Sequence, residues 1–374
     1  MTPSSGTYDP RLDHLRFAAA FLVLCCHALP RFVPAEVLPF PFGILPHGAT
    51  GVSLFLVLSG FVFMKLCRGK EVEYRGFLRN RALRIAPMFL LYLSLAVWLK
   101  PGLDMGQLLA ALATLTDPAR IMPGVSWTIL VEVQFYLLFP FLLVFHRKHG
   151  LRWLLTLAAV PLVLRLLAHS AHGTAYRLAE RSLVGRLDQF LIGMIACEAW
   201  HARPGWFRRW WMLPAAVLGW LLLAQAFAAQ GGYPRGYPEA VGGLSHRSRL
   251  WAVLPALEGV AYGLLIACWM GCPWRLPRWL DDGLAWLGKL SFSFYLNHML
   301  VMNACLGEWR KAGLPTDGFG AGMAFTVLAA LPAAVAVSAL TYHAVEEPFL
   351  SLRGKYLREP EAAPARLAGT AVAA

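Results

Sequence analysis

Two ionisable residues share one apolar segment near the start of the chain. Arg16 and His27 lie eleven positions apart within residues 15–29, where the other side chains are almost all apolar. Eleven positions are close to three helical turns, so on a helix both side chains lie on one face, about 16 Å apart along the axis. A histidine buried in a membrane helix is energetically expensive and therefore marks a functional candidate. The alternative is a histidine that only packs against its neighbours.

A carboxylate interrupts a later apolar segment. Glu132 lies five residues after Trp127 and four before Tyr136. A histidine and a carboxylate at matched depth would form a general-base pair, so His27 and Glu132 are the predicted catalytic residues. The alternative for Glu132 is a buried polar clamp that locks two helices together. His298, in a further apolar segment, is expected toward the same side of the membrane as His27.

Arg81 and Arg84 form a second basic feature. They are three residues apart and are therefore neighbours on a helix surface. With Arg16 they are predicted to form a basic ring on the cytoplasmic face. Guanidinium groups in fixed positions suit phosphates. The alternative is that they only determine topology or contact anionic lipid.

The elements that position these residues are membrane helices. The chain has 374 residues, of which 58% are hydrophobic and only 15% charged, and its mean hydropathy is +0.53. These values exclude an ordinary soluble domain and predict an all-α polytopic membrane protein. About ten spans are predicted, near residues 15–31, 50–66, 84–99, 127–146, 151–168, 186–200, 210–228, 250–270, 284–305 and 321–343. Residues 102–115 are an alternative re-entrant or interfacial piece.

The distribution of basic residues predicts the orientation. With ten spans both termini lie on one side, and lysine and arginine are more numerous in the segments that share this side. The positive-inside rule therefore places both termini in the cytoplasm. The net charge of +13 reflects this bias and does not indicate a nucleic-acid partner. The seven cysteines show no paired metal-ligand spacing, so no metal is predicted.

A set of motifs along residues 11–350 resembles one enzyme family. The residues that carry the likeness are Asp13, Arg16 and His27; residues 51–55 with Ser59, Gly60 and Phe61; Arg81 and Arg84; Trp127, Glu132 and Tyr136; Ser291, Tyr295 and His298; and Glu347 and Pro348. In this order they are similar to the bacterial integral-membrane acyltransferase-3 family. The chain departs from the family pattern at Leu56, where a second phenylalanine is frequent, and at Asn297, where a bulkier residue is usual.

The resemblance implies a multi-pass enzyme of the bacterial inner membrane. Such an enzyme transfers an acyl group from cytoplasmic acyl-CoA, commonly acetyl-CoA, to a hydroxyl of a carbohydrate or glycolipid acceptor. Residues 1–358 would form the transmembrane domain, and residues 359–374 are predicted to be a disordered tail.

Family motifs assign the donor site to Arg16, Arg81 and Arg84, and the chemistry to His27. Asp13, Trp127, Tyr295 and His298 are expected to support the site or face the acceptor. His27 is expected to be either a general base or a transient acyl carrier. A secondary transporter or a glycan flippase with a His/Glu proton relay is the alternative function, and a non-catalytic scaffold is a third.

Overall fold

A computed structural model describes residues 8–33, 38–99, 106, 126–232 and 245–359, and these residues are mostly helical. The long helices, numbered here in chain order, are α1 (Pro10–Ala28), α2 (Thr50–Cys67), α3 (Tyr74–Leu99), α4 (Ser126–His149), α5 (Leu151–His172), α6 (Leu183–Ala202), α7 (Met212–Ala229), α8 (Leu250–Gly271), α9 (Ser291–Lys311) and α10 (Phe319–Ser351). Shorter helices cover Leu29–Arg31, Phe42–His47, Tyr176–Arg181, Pro204–Phe207 and Arg278–Lys289. Two short strands, β1 (Glu71–Val72) and β2 (Leu357–Arg358), pair antiparallel.

Seven of the described helices are long and apolar enough to cross a membrane. They are α1 with its short continuation to Arg31, α2, α4, α5, α7, α8 and α10. The chain is therefore built as a multi-pass membrane protein. Helices α3, α6 and α9 are also long but do not reach the same combination of hydropathy and low charge. For these three, membrane crossing and the total of ten spans remain predictions, as does the orientation.

Two predicted boundaries differ from the structure. Helix α3 begins at Tyr74, ten residues before the predicted span, so Arg81 and Arg84 lie within the helix. The predicted ninth span is divided at Leu290 into the amphipathic helix Arg278–Lys289 and α9. Sequence hydropathy could not detect this division because apolar residues continue across it. The suggested re-entrant piece at 102–115 lies outside the described residues, apart from residue 106.

Glycine allows α2 and α6 to pack backbone against backbone. A Cβ atom on Gly60 would lie 1.9 Å from the carbonyl oxygen of Phe190, and one on Gly193 would lie 2.0 Å from that of Val57. Neither position therefore has room for a side chain. Both glycines are therefore packing residues, since small residues let membrane helices pack tightly.

Helix α10 contains two wider turns. Thr326–Ala330 and Tyr342–Glu346 are π-helical within an otherwise α-helical element. Proline usually ends a helix, but beyond Pro348 this helix continues to Ser351. Pro348 is tolerated because it lies in the first turn of the α-helical stretch that follows the π segment, where a missing N–H costs little. The second π segment carries Glu346.

A buried ion pair joins α5 to α6. Arg165 and Asp188 are both 0% exposed, and their charged atoms are 2.6 Å apart. The Arg165 guanidinium also donates to the carbonyl oxygens of Gly185 and Ala252, and the second bond attaches α8. One side chain therefore organises three helices.

Replacing Arg165 with methionine should destabilise the protein strongly. The substitution leaves Asp188 buried without its cation, which costs about 3–5 kcal/mol. The unfolding midpoint of the protein in detergent measures the loss. Arg152→Met, at an exposed position of the same helix, is the matched control and should change stability by less than about 0.5 kcal/mol. Equal midpoints for the two variants would show that the pair does not stabilise the fold.

Candidate functional site

Helices α1 and α9 bring two histidine rings together. The ring centroids of His27 and His298 are 5.3 Å apart, and their planes are inclined by 32°. His27 is partly exposed, whereas His298 is fully buried. The sequence predicted both residues toward the same side of the membrane, but it did not predict that the rings would face each other. His27 is the more exposed member of the pair.

The hydrogen bonding of His298 assigns its tautomer. Its Nδ1 atom lies 2.6 Å from the carbonyl oxygen of Tyr295. A carbonyl only accepts, so Nδ1 carries the proton, and in a neutral ring Nε2 is then the acceptor. This Nε2 atom is buried and has no hydrogen-bond partner among the described residues. The pair therefore contains a bare, proton-accepting nitrogen.

Tyr295 connects the histidine pair to two further helices. Its hydroxyl accepts a hydrogen bond of 2.9 Å from Thr128 on α4. Its ring lies 5.7 Å from the His298 ring and 6.2 Å from that of Phe55 on α2. Tyr295 thus fixes the position of His298 relative to α2 and α4. Its place in the site is to support that histidine.

Glu132 lies one turn beyond Thr128 on α4 but does not reach His27. Its carboxylate accepts a hydrogen bond from the Tyr136 hydroxyl and a long one, of 3.4 Å, from Ser59 on α2. No hydrogen bond or ion pair joins Glu132 to His27 in the part of the chain that the structure describes. The predicted direct pair is therefore not formed, because Tyr136 is four residues away on the same helix and supplies a nearer donor. The bond to Ser59 agrees with the alternative of a clamp between two helices.

Arg81 occupies an aromatic pocket. The central carbon of its guanidinium lies 5.1 Å from the ring centre of Phe63, 5.6 Å from that of Phe77 and 5.9 Å from that of Tyr136. Rings at these distances attract a cation and also fix its direction. The Nε atom is buried and has no hydrogen-bond partner among the described residues. Arg81 is therefore positioned but not neutralised by a carboxylate.

Arg84 has a different environment. It forms an ion pair with Glu346, which is only 1% exposed. Glu346 also accepts a hydrogen bond of 2.7 Å from Ser293. These contacts join α3, the π segment of α10 and α9 at a single carboxylate. Sequence reasoning missed this role of Glu346, although the residue stands immediately before the Glu347-Pro348 motif.

Arg16 is separate from the other two arginines. It forms an ion pair with Asp13, three residues earlier on α1, and its side chain is 32% exposed. No hydrogen bond, ion pair or ring contact links Arg16 with Arg81 or Arg84 across residues 8–99. The predicted ring thus consists of one arginine on α1 and two on α3, and all three are partly buried. Asp13 is the ionic partner of Arg16.

Trp127, near the start of α4, belongs to another polar network. The Arg186 guanidinium lies 5.8 Å from the Trp127 ring centre and donates to Ser53 and to Gln189. Ser53 in turn donates to Glu258 over 2.6 Å. The network joins α2, α6 and α8, and no ring contact connects Trp127 with His27 in the described structure.

The described residues of the site combine two histidine rings with fixed guanidinium groups. Groups of three or more histidine, cysteine or acidic side chains that could hold a metal ion do not occur among the described residues. The arrangement offers a proton acceptor at the His27–His298 pair and fixed cations at Arg81 and Arg84.

Comparisons with known proteins assign the family. Residues 9–343 match the sequence profile of the acyltransferase-3 family, described as an acyltransferase domain. The chain is also similar to the acyltransferase MdmB from Streptomyces mycarofaciens, with 28% identity over 388 aligned positions that cover 92% of each protein. No solved structure matches the chain significantly. The profile covers nearly the whole chain, including the histidine pair and both α3 arginines. The protein is therefore an acyltransferase and belongs to the acyltransferase-3 family.

Proposed function

We propose that this acyltransferase moves an acyl group from cytoplasmic acyl-CoA to a hydroxyl of a cell-envelope or exported carbohydrate. The acyl group proposed first is acetyl. The proposed location is the bacterial inner membrane, with both termini in the cytoplasm. The observation that carries the proposal is the His27–His298 pair, in which an accessible ring lies beside a buried one with a bare nitrogen.

The spacing between the cations and the histidines supports an acyl-CoA donor. Coenzyme A has phosphates at one end and a thioester at the end of a long neutral arm. Ser293, which binds the carboxylate partner of Arg84, lies five residues before His298 on α9, or about 7.5 Å along the helix axis. Arg16 lies about 16 Å from His27 along α1. The two ends of the donor thus have complementary groups on adjoining helices.

In the proposed reaction His27 accepts the proton of the acceptor hydroxyl. The hydroxyl oxygen attacks the thioester carbonyl carbon, the carbon–sulfur bond breaks, and the imidazolium returns the proton to the leaving sulfur. This sequence needs one base that acts in both directions, which is a role typical of histidine. Transient transfer of the acyl group to His27 is the second route. Glu132 is proposed to orient Tyr136 and the adjoining α2 surface and does not charge His27 directly.

Acyl transfer itself tests the function. Purified protein is incubated with labelled acetyl-CoA and envelope glycans, and label in the glycan fraction is measured. His27→Ala should lower turnover by about 10² to 10⁴-fold, the contribution of a general base. His172→Ala, at an exposed position of α5, is the matched control and should retain wild-type turnover.

Near wild-type turnover in His27→Ala would contradict the mechanism. Transport of a glycan by the wild-type protein without any transfer of label would favour the transporter or flippase instead. Rapid quenching separates the two routes, because label bound to the protein appears only if His27 carries the acyl group.

The two α3 arginines should respond differently to substitution. Arg81→Ala removes a cation that no carboxylate neutralises, so KM for acyl-CoA should rise about tenfold, which corresponds to about 1.4 kcal/mol, without loss of stability. Arg84→Ala leaves Glu346 buried and unpaired, so the unfolding midpoint should fall, by the equivalent of about 3–5 kcal/mol. The double variant Arg84→Met/Glu346→Gln removes both charges and should recover most of the stability. Reversed effects of the two single variants would contradict this assignment.

The sidedness of the donor site can be measured by cysteine labelling. In a cysteine-free background, Arg75→Cys and Ser245→Cys place thiols at two exposed positions. An impermeant reagent should reach position 75, like all of segment 68–79, only from the cytoplasm, and position 245, at the end of segment 233–245, only from outside. The opposite pattern would remove the arginines from the cytoplasmic acyl-CoA pool.

A further inference from the structure

The chain that follows α10 returns to α3 and is fixed there by backbone hydrogen bonds. Residues 352–358, here called the strap, include β2, whose Leu357 and Arg358 pair with Val72 and Glu71. The Glu73 amide also donates to the carbonyl oxygen of Tyr356 over 2.9 Å. The strap is thus attached to the segment that leads into α3.

Side chains attach the strap at two further points. Asn80 on α3 donates to the carbonyl oxygen of Gly354 over 2.7 Å and accepts from its amide over 3.1 Å. The Tyr356 ring is buried, and it meets Phe77 edge to face at 5.6 Å between centroids. Phe77 is also one of the rings around Arg81. The strap is therefore packed on the same surface that positions this arginine.

Just before these attachment points the strap brings Arg353 to the α3 arginines, because Gly354, the next residue, is bonded to Asn80, which precedes Arg81. Burial, together with the positive charges of Arg81 and Arg84, lowers the pKa of Arg353 to about 9. The Nε atoms of Arg353 and Arg81 are both buried and lack a hydrogen-bond partner among the described residues. In the same part of the structure Arg353 has no ion pair.

The charge of this group is not balanced. Three guanidinium groups lie near the carboxylate of Glu346, whose oxygens are already bonded to Arg84 and Ser293. The second carboxylate that acts on Arg84 is that of Glu132, and it already accepts hydrogen bonds from Tyr136 and Ser59. Like charges held close together in a partly buried position repel each other unless an anion lies between them. Guanidinium groups with free N–H donors match the geometry of phosphate oxygens. An anion with more than one phosphate group would satisfy both the charge and the unused donors.

We propose that Arg353, supplied by the strap, acts with Arg81 to bind the phosphate groups of the acyl-CoA donor. This inference rests on the proposed function, because it assigns a further binding residue to the same donor site. The strap then forms one wall of the donor entrance, and Arg84 contributes less because Glu346 offsets its charge. A phosphate ester in an anionic lipid headgroup presents the same chemistry, and the test separates the two sources.

Binding to the full chain in phosphatidylcholine nanodiscs tests the proposal. The ligands are coenzyme A, 3′-dephospho-coenzyme A and inorganic pyrophosphate. Arg353→Gln should weaken coenzyme A binding about tenfold or more, as expected for loss of a charged hydrogen bond. Arg353→Lys keeps the positive charge but loses the planar guanidinium group with its paired N–H donors. This variant should therefore lose only part of the affinity for coenzyme A. In turnover assays the loss is expected in KM for the donor rather than in kcat.

Arg358→Gln is the matched control, since Arg358 lies on the same strap but is exposed. It should bind coenzyme A like the wild type. Unfolding midpoints of all variants are recorded, and if Arg353→Gln does not fold, Arg353→Lys provides the comparison.

The outcomes distinguish this inference from the proposed function. If Arg353→Gln and Arg353→Lys bind coenzyme A as tightly as the wild type, the role of Arg353 is overturned and the donor assignment stays intact. If the protein binds pyrophosphate in a way that depends on Arg353 but has no affinity for coenzyme A, the anion site is supported and coenzyme A as the donor is contradicted. An effect of Arg353 seen only as stabilisation in phosphatidylglycerol nanodiscs would identify a lipid site and overturn the proposal.

Discussion

The arrangement of the site depends on the contacts of one buried carboxylate, that of Glu346. It joins Arg84 of α3 to Ser293 of α9 from a π-helical turn of α10. Helix α9 also carries His298, and α3 also carries Arg81. A carboxylate removed from water needs such partners, because an unpaired charge in this position would cost several kcal/mol. The ion pair therefore sets the relation between the cationic side of the site and its histidines.

The structure separates two tasks that one helix was expected to combine. In the sequence, Arg16 and His27 share a face of α1 and could bind the two ends of one donor. In the structure Arg16 is paired with Asp13, while the less compensated positive charge lies at Arg81 and Arg353. In the proposed site, helix α1 supplies the reactive side chain, and α3 with the strap supplies most of the fixed cations. Rigid helices are suitable for both tasks because small displacements of reacting groups lower rates strongly.

Sequence reasoning succeeded for features that a single helix or a single apolar run determines. It identified the membrane class, and the positions of His27, His298 and the α3 arginines point to a polar site within the helices. It failed for Glu132, whose nearest donor, Tyr136, is on its own helix and satisfies the carboxylate before His27 can. It also did not assign Arg353, because only tertiary folding brings residues after α10 back to α3. No periodic pattern in a single sequence encodes such a contact.

The strap has a consequence for biosynthesis. Residues 352–358 follow all ten long helices in the chain, yet they contact the segment just before α3 and the first turns of that helix. A ribosome adds about 5–20 residues per second, so α3 is made many seconds before its partner strand exists. During that interval the surface around Phe77 and Asn80 remains uncovered. The entrance to the site is thus completed last, and a nascent chain cannot hold its full set of cations until the helical part has been inserted.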